Sequence, residues 1–126
     1  MMHEIIKAVN PNVVVVDPIS NLTLDRGEAE VKPTLMRLID ILKQKEITSV
    51  FTSLTSGGGP SLEDSQLGVS SLMDTWLLLR NTEFNGERNR TLHVLKSRGM
   101  WHSDEMRPLT FTRRGIHIGV AGARTN

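Results

Sequence analysis

Apolar positions change their period along this chain, from helical spacing and solid runs in the first half to strict alternation in the second. Glu4-Ile5-Ile6-Lys7-Ala8-Val9 spaces its apolar residues for one helix face, and Asn10-Pro11 ends that helix because proline lacks an N–H and clashes with the preceding turn. Asn12 to Asp17 carries four consecutive valines with no polar alternation, the pattern of a strand buried on both faces in a parallel sheet. Pro33 falls where a second helix would place it, at the first position, with Leu35, Leu38, Ile39 and Leu42 on one face and Lys43 and Lys45 in the last turn. Thr48 to Leu54 reads as another apolar strand, and the order helix, strand, helix, strand describes a βαβ crossover with a parallel sheet.

Beyond Leu54 the pattern differs. Thr55 to Pro60 is a glycine-containing loop, and Ser61 to Met73 is polar with scattered Leu and Val, a short helix or an ordered loop. Thr75 to Thr82 predicts a third strand, Asn85-Gly86 a tight hairpin turn, and Arg88 to Lys96 the returning strand. A second hairpin is expected from Leu109 to Thr112 and Ile116 to Ile118, turning at Arg113-Arg114-Gly115. The tail 119–126 is small and polar and is expected to fray. No internal repeat or dividing linker interrupts the sequence, so one domain over residues 1–126 is expected, α/β in class, with parallel strands and flanking helices followed by antiparallel hairpins.

Composition narrows the chemistry. The 126 residues contain no cysteine, which excludes disulfides, thiolate metal sites and thiol catalysis and is compatible with a cytoplasmic location. The longest apolar runs, Val13 to Val16 and Trp76 to Leu79, fall far short of the ~20 residues of a membrane span. The net charge of +1 conceals an asymmetry: residues 1–75 carry six basic and ten acidic side chains, residues 76–126 nine and four. Eight of those nine are arginines, whose planar fork suits phosphate or carboxylate, although a solvated face beside an acidic neighbour is the plain alternative. With two Trp, three Phe and no Tyr, stacking groups for nucleic acid are scarce, and that class of partner ranks lowest.

Asp17 closes the valine strand at its C-terminal end, where ligands bind in open α/β sheets and where an acidic residue can hold Mg²⁺ through coordinated water. A strand ending in Asp before a proline turn is also common for structural reasons alone. No G-x-x-x-x-G-K-[ST] phosphate loop occurs, and Gly57-Gly58-Gly59-Pro60, with no Lys-Ser/Thr behind it, reads as a flexible loop. Lys96-Ser97-Arg98-Gly99, with His102 nearby, ends a strand with two cations at i and i+2, which would project to one side of an extended chain and could grip phosphate; solvated edge charges are the alternative. The four histidines have no metal-ligand spacing, and Ser70-Ser71 would by default cap or turn the chain.

Taken together and in order, Val13-Val14-Val15-Val16-Asp17-Pro18-Ile19-Ser20, the helix from Pro33 to Glu46, Thr52-Ser53-Leu54-Thr55, Ser71 to Arg80, Asn85-Gly86-Glu87-Arg88-Asn89-Arg90 and Leu95-Lys96-Ser97-Arg98-Gly99-Met100-Trp101-His102 resemble the later portion of a KaiC-type ATPase domain. The resemblance runs from about residue 4 to about residue 118 and implies part of a RecA-like P-loop fold that works in an oligomeric ring, usually a hexamer, with ATP between subunits. On this likeness Asp17 matches the Walker B aspartate near Mg²⁺, and Thr52, Ser53 and Thr55 lie near the strand end that faces nucleotide. Lys96 and Arg98 match the pair offered to the neighbour's ATP phosphates, with Ser97, Met100 and His102 lining the nucleotide from the same side. Ser70 and Ser71 align with adjacent phosphoacceptors of the cyanobacterial clock member, although Gln66, Gly68 and Val69 depart from its spacing. The segment Thr55 to Glu63 resembles the one facing the ring channel. The Walker A loop and catalytic glutamates of that family would lie before Asp17, so the sequence implies the C-terminal half of the domain, inactive by itself. Its partners would be copies of itself or full-length KaiC-like subunits, with no membrane.

Overall fold

The computed structural model describes residues 2–19, 21, 28–54, 70–84 and 87–122. The chain divides into two compact units, 1–72 and 73–126, each with its own sheet. The unit boundary nearly coincides with the charge asymmetry: residues 1–72 hold six basic and nine acidic groups, net −3, and residues 73–126 nine and five, net +4.

In the first unit, helix α1 (Met2–Val9) leads into strand β1 (Val13–Val16), helix α2 (Glu28–Gln44) and strand β2 (Thr48–Phe51). Asn10 ends α1 in the left-handed region at φ 49°, and its N–H donates to the Ile6 carbonyl at 3.0 Å. β1 and β2 pair in parallel, Val13 opposite Thr48 through Val16 opposite Phe51, as the βαβ pattern requires. The helical stripe is the core: Leu35 and Leu42 are fully buried, with Leu38, Ile39, Ile6, Ile19 and Ile47. α2 ends in a Schellman turn, with the Ile47 N–H donating to the Leu42 carbonyl at 2.9 Å and the Glu46 N–H to the Lys43 carbonyl at 3.0 Å. Glu46 takes the left-handed conformation at φ 55°, where glycine is usual.

Three expectations change here. α2 begins at Glu28, so Pro33 sits inside the helix and not at its first position; it has no N–H to return to the carbonyl four residues earlier, and the packed stripe that follows compensates that loss. Nor is β1 buried on both faces. Val14 and Val16 are half-buried, whereas Val13 and Val15 are 57% and 63% exposed and Val50 of β2 48%, because a two-stranded sheet offers cover for one face and little for the other. β2 is also shorter than the apolar run, closing at Phe51.

The second unit is an antiparallel meander of β3 (Thr75–Phe84), β4 (Glu87–Ser97), β5 (Arg107–Thr112) and β6 (Gly115–Ile118). A single 3-10 turn, Ser70–Leu72, precedes Met73. Phe84 pairs with Glu87, in keeping with a tight hairpin, although residues 85 and 86 themselves lie outside the described residues. The same holds for Thr55, glycines 57–59, most of the segment 61–73 and residues 123–126 of the tail. One irregularity breaks the β3–β4 ladder: Leu77 pairs with Val94 and Trp76 with Lys96, so Leu95 is an extra residue, a β-bulge. The β5–β6 hairpin turns on Arg113 and Arg114, braced by the Arg114 N–H donating to the Thr112 hydroxyl oxygen at 3.2 Å and that hydroxyl donating to the Gly115 carbonyl at 3.0 Å.

The chain after β6 contacts β5 at Gly119. The Gly119 N–H donates to the Pro108 carbonyl at 2.8 Å, and a Cβ on Gly119 would lie 2.8 Å from Pro108 Cγ, inside van der Waals contact with a stiff ring. Gly119→Ala is expected to cost about 1–3 kcal/mol through this overpacking, lowering the thermal midpoint read by circular dichroism by roughly 5 °C or more. An unchanged midpoint would show that the ring gives way.

Candidate functional site

The first cluster stands at the C-terminal ends of β1 and β2. Parallel pairing brings both strand ends to one edge, and Thr52 is clamped there by two backbone bonds: its N–H donates to the Val16 carbonyl at 3.0 Å, and its carbonyl accepts from the Ile19 N–H at 2.8 Å. So held, its Oγ1 donates to Asp17 Oδ1. The Asp17–Pro18 peptide is cis. Asp17 is exposed, as is Ser53, and Asp17 also borders an open groove of about 430 Å³ between α1 and β1, lined by Ile5, Ile6, Val9, Val15 and Val16 among others. One carboxylate oxygen accepts from the threonine hydroxyl, and an ionised carboxylate has acceptor capacity beyond that one bond.

This donor set suits a hydrated Mg²⁺. A carboxylate and a neighbouring hydroxyl provide hard oxygens for an ion that keeps several of its waters, and among the described residues no group of three His, Cys, Asp or Glu forms a full protein cage. Asp17, oriented by Thr52, is the residue that would hold such an ion, which when bound would neutralise charge on phosphate oxygens.

The second cluster lies at the end of β4. The bulge at Leu95 shifts the register, placing Lys96 opposite Trp76 and Ser97 opposite Thr75, whose hydroxyls are 3.4 Å apart. Lys96 is half-buried. The strand ends at Ser97, so the i, i+2 alternation that would align Lys96 with Arg98 stops short of Arg98, which belongs to the following turn with Gly99 at φ 76°. Arg98 is instead fixed by Asp74: its N–H donates to the Asp74 carbonyl at 2.7 Å and Nη1 lies 3.5 Å from Asp74 Oδ1. Met100 and Trp101 are exposed, Trp101 at 89%. His102 is half-buried with Nδ1 3.4 Å from the Ser103 carbonyl and 3.6 Å from Asp104 Oδ1. Arg107 binds Glu105 at 2.9 Å, and the Glu105 N–H donates to Ser103 Oγ at 3.2 Å, so this connection is ordered by its own polar groups. Ser70 and Ser71 share the 3-10 turn, with Ser71 exposed.

Asp17, Thr52 and Ser53 thus gather at one strand end, and Lys96, Ser97, Arg98, Met100 and His102 follow one another along another. Asp74 and Thr75 are the partners that sequence reasoning did not assign. The signal was present in part, since antiparallel return from residue 86 brings residues near 74 beside those near 98.

The KaiC ATPase family model matches residues 1–122. The circadian clock protein KaiC2 of Synechocystis sp. is 46% identical over 118 residues, 93% of this chain and 21% of its own length. KaiC3 of the same organism is 36% identical over 121 residues, 94% of this chain and 24% of its own. The circadian clock oscillator protein KaiC of Thermostichus vulcanus is 33% identical over 110 residues, 86% of this chain and 21% of its own. The chain therefore spans about a fifth to a quarter of the length of these relatives. Among the described residues no helix is long and apolar enough to cross a membrane. An α/β chain with an acidic strand end, a cationic turn after an antiparallel hairpin and this match along nearly its whole length belongs to the KaiC family of ATPases.

Proposed function

We infer that the two units are parts of one RecA-like ATPase domain of the P-loop class, and that this portion works in a cytoplasmic ring, a hexamer in its simplest form. The reading rests above all on Asp17, hydrogen-bonded to a clamped Thr52 at the C-terminal end of two parallel strands. Asp17 serves as the Walker B aspartate for Mg-ATP, with Thr52 orienting its carboxylate and Ser53 beside the nucleotide. Lys96 and Arg98 act in trans on the phosphates of ATP held by an adjacent subunit, where fixed cations stabilise the charge that develops as the phosphoryl group transfers. Ser97, Met100 and His102 line that nucleotide from the same side, and Ser70 or Ser71 is the position for an accepted phosphate. Residues 1–126 contain no G-x-x-x-x-G-K-[ST] motif, so ATP turnover on this reading draws on a phosphate loop outside these residues.

A second reading is favoured by the exposed Val13, Val15 and Val50: the chain docks on full-length KaiC-like subunits without catalysis and regulates their assembly or signalling. Light scattering of the purified chain at several concentrations, with and without Mg-ATP, separates the two. The first reading expects a discrete oligomer whose mass rises with Mg-ATP. A mass indifferent to Mg-ATP, in a chain that still co-purifies with a full-length relative, would replace it with the second.

A further inference from the structure

The turn after β4 contains a contact that the phosphate-facing reading of Arg98 does not use. Arg98 Nη1 lies 3.5 Å from Asp74 Oδ1, with both side chains more than half exposed, and the Arg98 N–H donates to the Asp74 carbonyl at 2.7 Å. The bulge at Leu95 produces this encounter. With the register of the hairpin below it, Leu77 opposite Val94, residue 74 would face Ser97; the one extra residue moves Arg98 into that place. Bulges recur next to functional sites because they re-aim a side chain.

We propose that Asp74 is a positioning residue and counter-charge for Arg98, holding the guanidinium at the strand end until a phosphate competes for it. This rests on the reading that Arg98 faces phosphate. The two attachments have separable roles. The backbone bond fixes where the turn starts, whatever side chain residue 74 carries, while the carboxylate acts on the guanidinium. An exposed ion pair at 3.5 Å is weak, so it orders the arginine without locking it. A phosphate, with more charge and oxygens spaced for the guanidinium fork, displaces a singly charged carboxylate. Asp74 thereby sets a threshold: it opposes adventitious single charges and yields to a polyphosphate.

The test is pyrophosphate binding to the full chain, followed by NMR on the Arg98 Nε–H and the Gly99 amide in the unsubstituted chain, Asp74→Asn, Arg98→Ala and the double variant. Asp74→Asn keeps the side-chain shape and removes its charge, and is expected to tighten pyrophosphate binding about two- to fivefold. Arg98→Ala weakens binding, and the Asn substitution gains nothing in that background. Asp74→Glu, which keeps the charge, binds within twofold of the unsubstituted chain. An equal gain from Asp74→Asn with and without Arg98 would reveal only a change of overall charge and overturn the proposal, as would no gain at all, or a Glu variant that behaves like Asn. If Arg98→Ala leaves pyrophosphate binding unchanged, Arg98 does not face phosphate; the functional reading then fails first and the proposal with it. Melting curves of all variants separate these outcomes from loss of fold, and a merely structural Asp74 would move those curves and leave the Arg98-dependent difference in affinity at zero.

Discussion

On the proposed ring reading, Arg98→Ala is expected to lower the ATP turnover of assemblies formed with full-length KaiC-like subunits by roughly 100- to 1,000-fold. The effect belongs in kcat more than in KM, because a cation that meets phosphate oxygens most strongly as charge develops stabilises the transition state beyond the ground state. Arg98→Lys should recover only part of it. A lysine supplies the charge but not the two parallel donors of the guanidinium, and it leaves the Asp74 contact with a different geometry. If Lys96 and Arg98 serve the same phosphate group as proposed, Lys96→Ala should add little to Arg98→Ala, since cations acting as a unit give losses that do not sum. The measurement requires equal assembly, so turnover is compared at matched mass by light scattering. Turnover within about threefold of the unsubstituted assembly would remove Arg98 from the machinery.

How much of this was legible in the residues follows from which interactions are local. The stripe Leu35, Leu38, Ile39 and Leu42 names one helix face whatever the rest of the chain does, and all four are buried. The βαβ order and the place of Asp17 at a strand end follow from the solid valine run and the proline behind it, and parallel pairing is present. Burial was less legible, because a run of four valines is equally suited to a strand covered on two faces or on one, and cover is a property of the neighbours. Pro33 misled for a related reason: proline prefers a helix start, yet the packing of Leu35, Leu38 and Leu42 holds the helix together through it. The cationic turn was legible as a motif and not as a geometry. Hairpin arithmetic from the Phe84–Glu87 pair predicts residue 74 opposite Ser97, and the bulge at Leu95, which no local residue preference announces, makes it Arg98. The clamp on Thr52 has no mark in the sequence because it is built from backbone groups of Val16 and Ile19, which carry no side-chain signature.

Leu42→Ala is the stability change expected to matter most. Leu42 is fully buried, so truncation removes a large apolar side chain and leaves a cavity, at a cost of about 2–5 kcal/mol. Stability of a whole domain is only about 5–15 kcal/mol, and the first unit starts from a disadvantage: Val13, Val15 and Val50 spend their apolar surface on solvent. Its core among the described residues consists of seven side chains, Ile6, Ile19, Leu35, Leu38, Ile39, Leu42 and Ile47, so Leu42 is a large share of it. Leu42 also accepts the Ile47 N–H in the turn that directs the chain into β2, and α2 packs against that strand. Loosening α2 therefore reaches β2, then the clamp on Thr52, then the orientation of the Asp17 carboxylate. Hydrogen exchange should show protection falling together across α2, β1 and β2, with the Thr52 amide among the groups that lose it. Val15→Thr, at a position 63% exposed, is the matched control and should stay within about 0.5 kcal/mol. If Leu42→Ala melts within a degree of the unsubstituted chain, the first unit does not depend on the α2 stripe, and the site at its strand ends must be held by something other than this core.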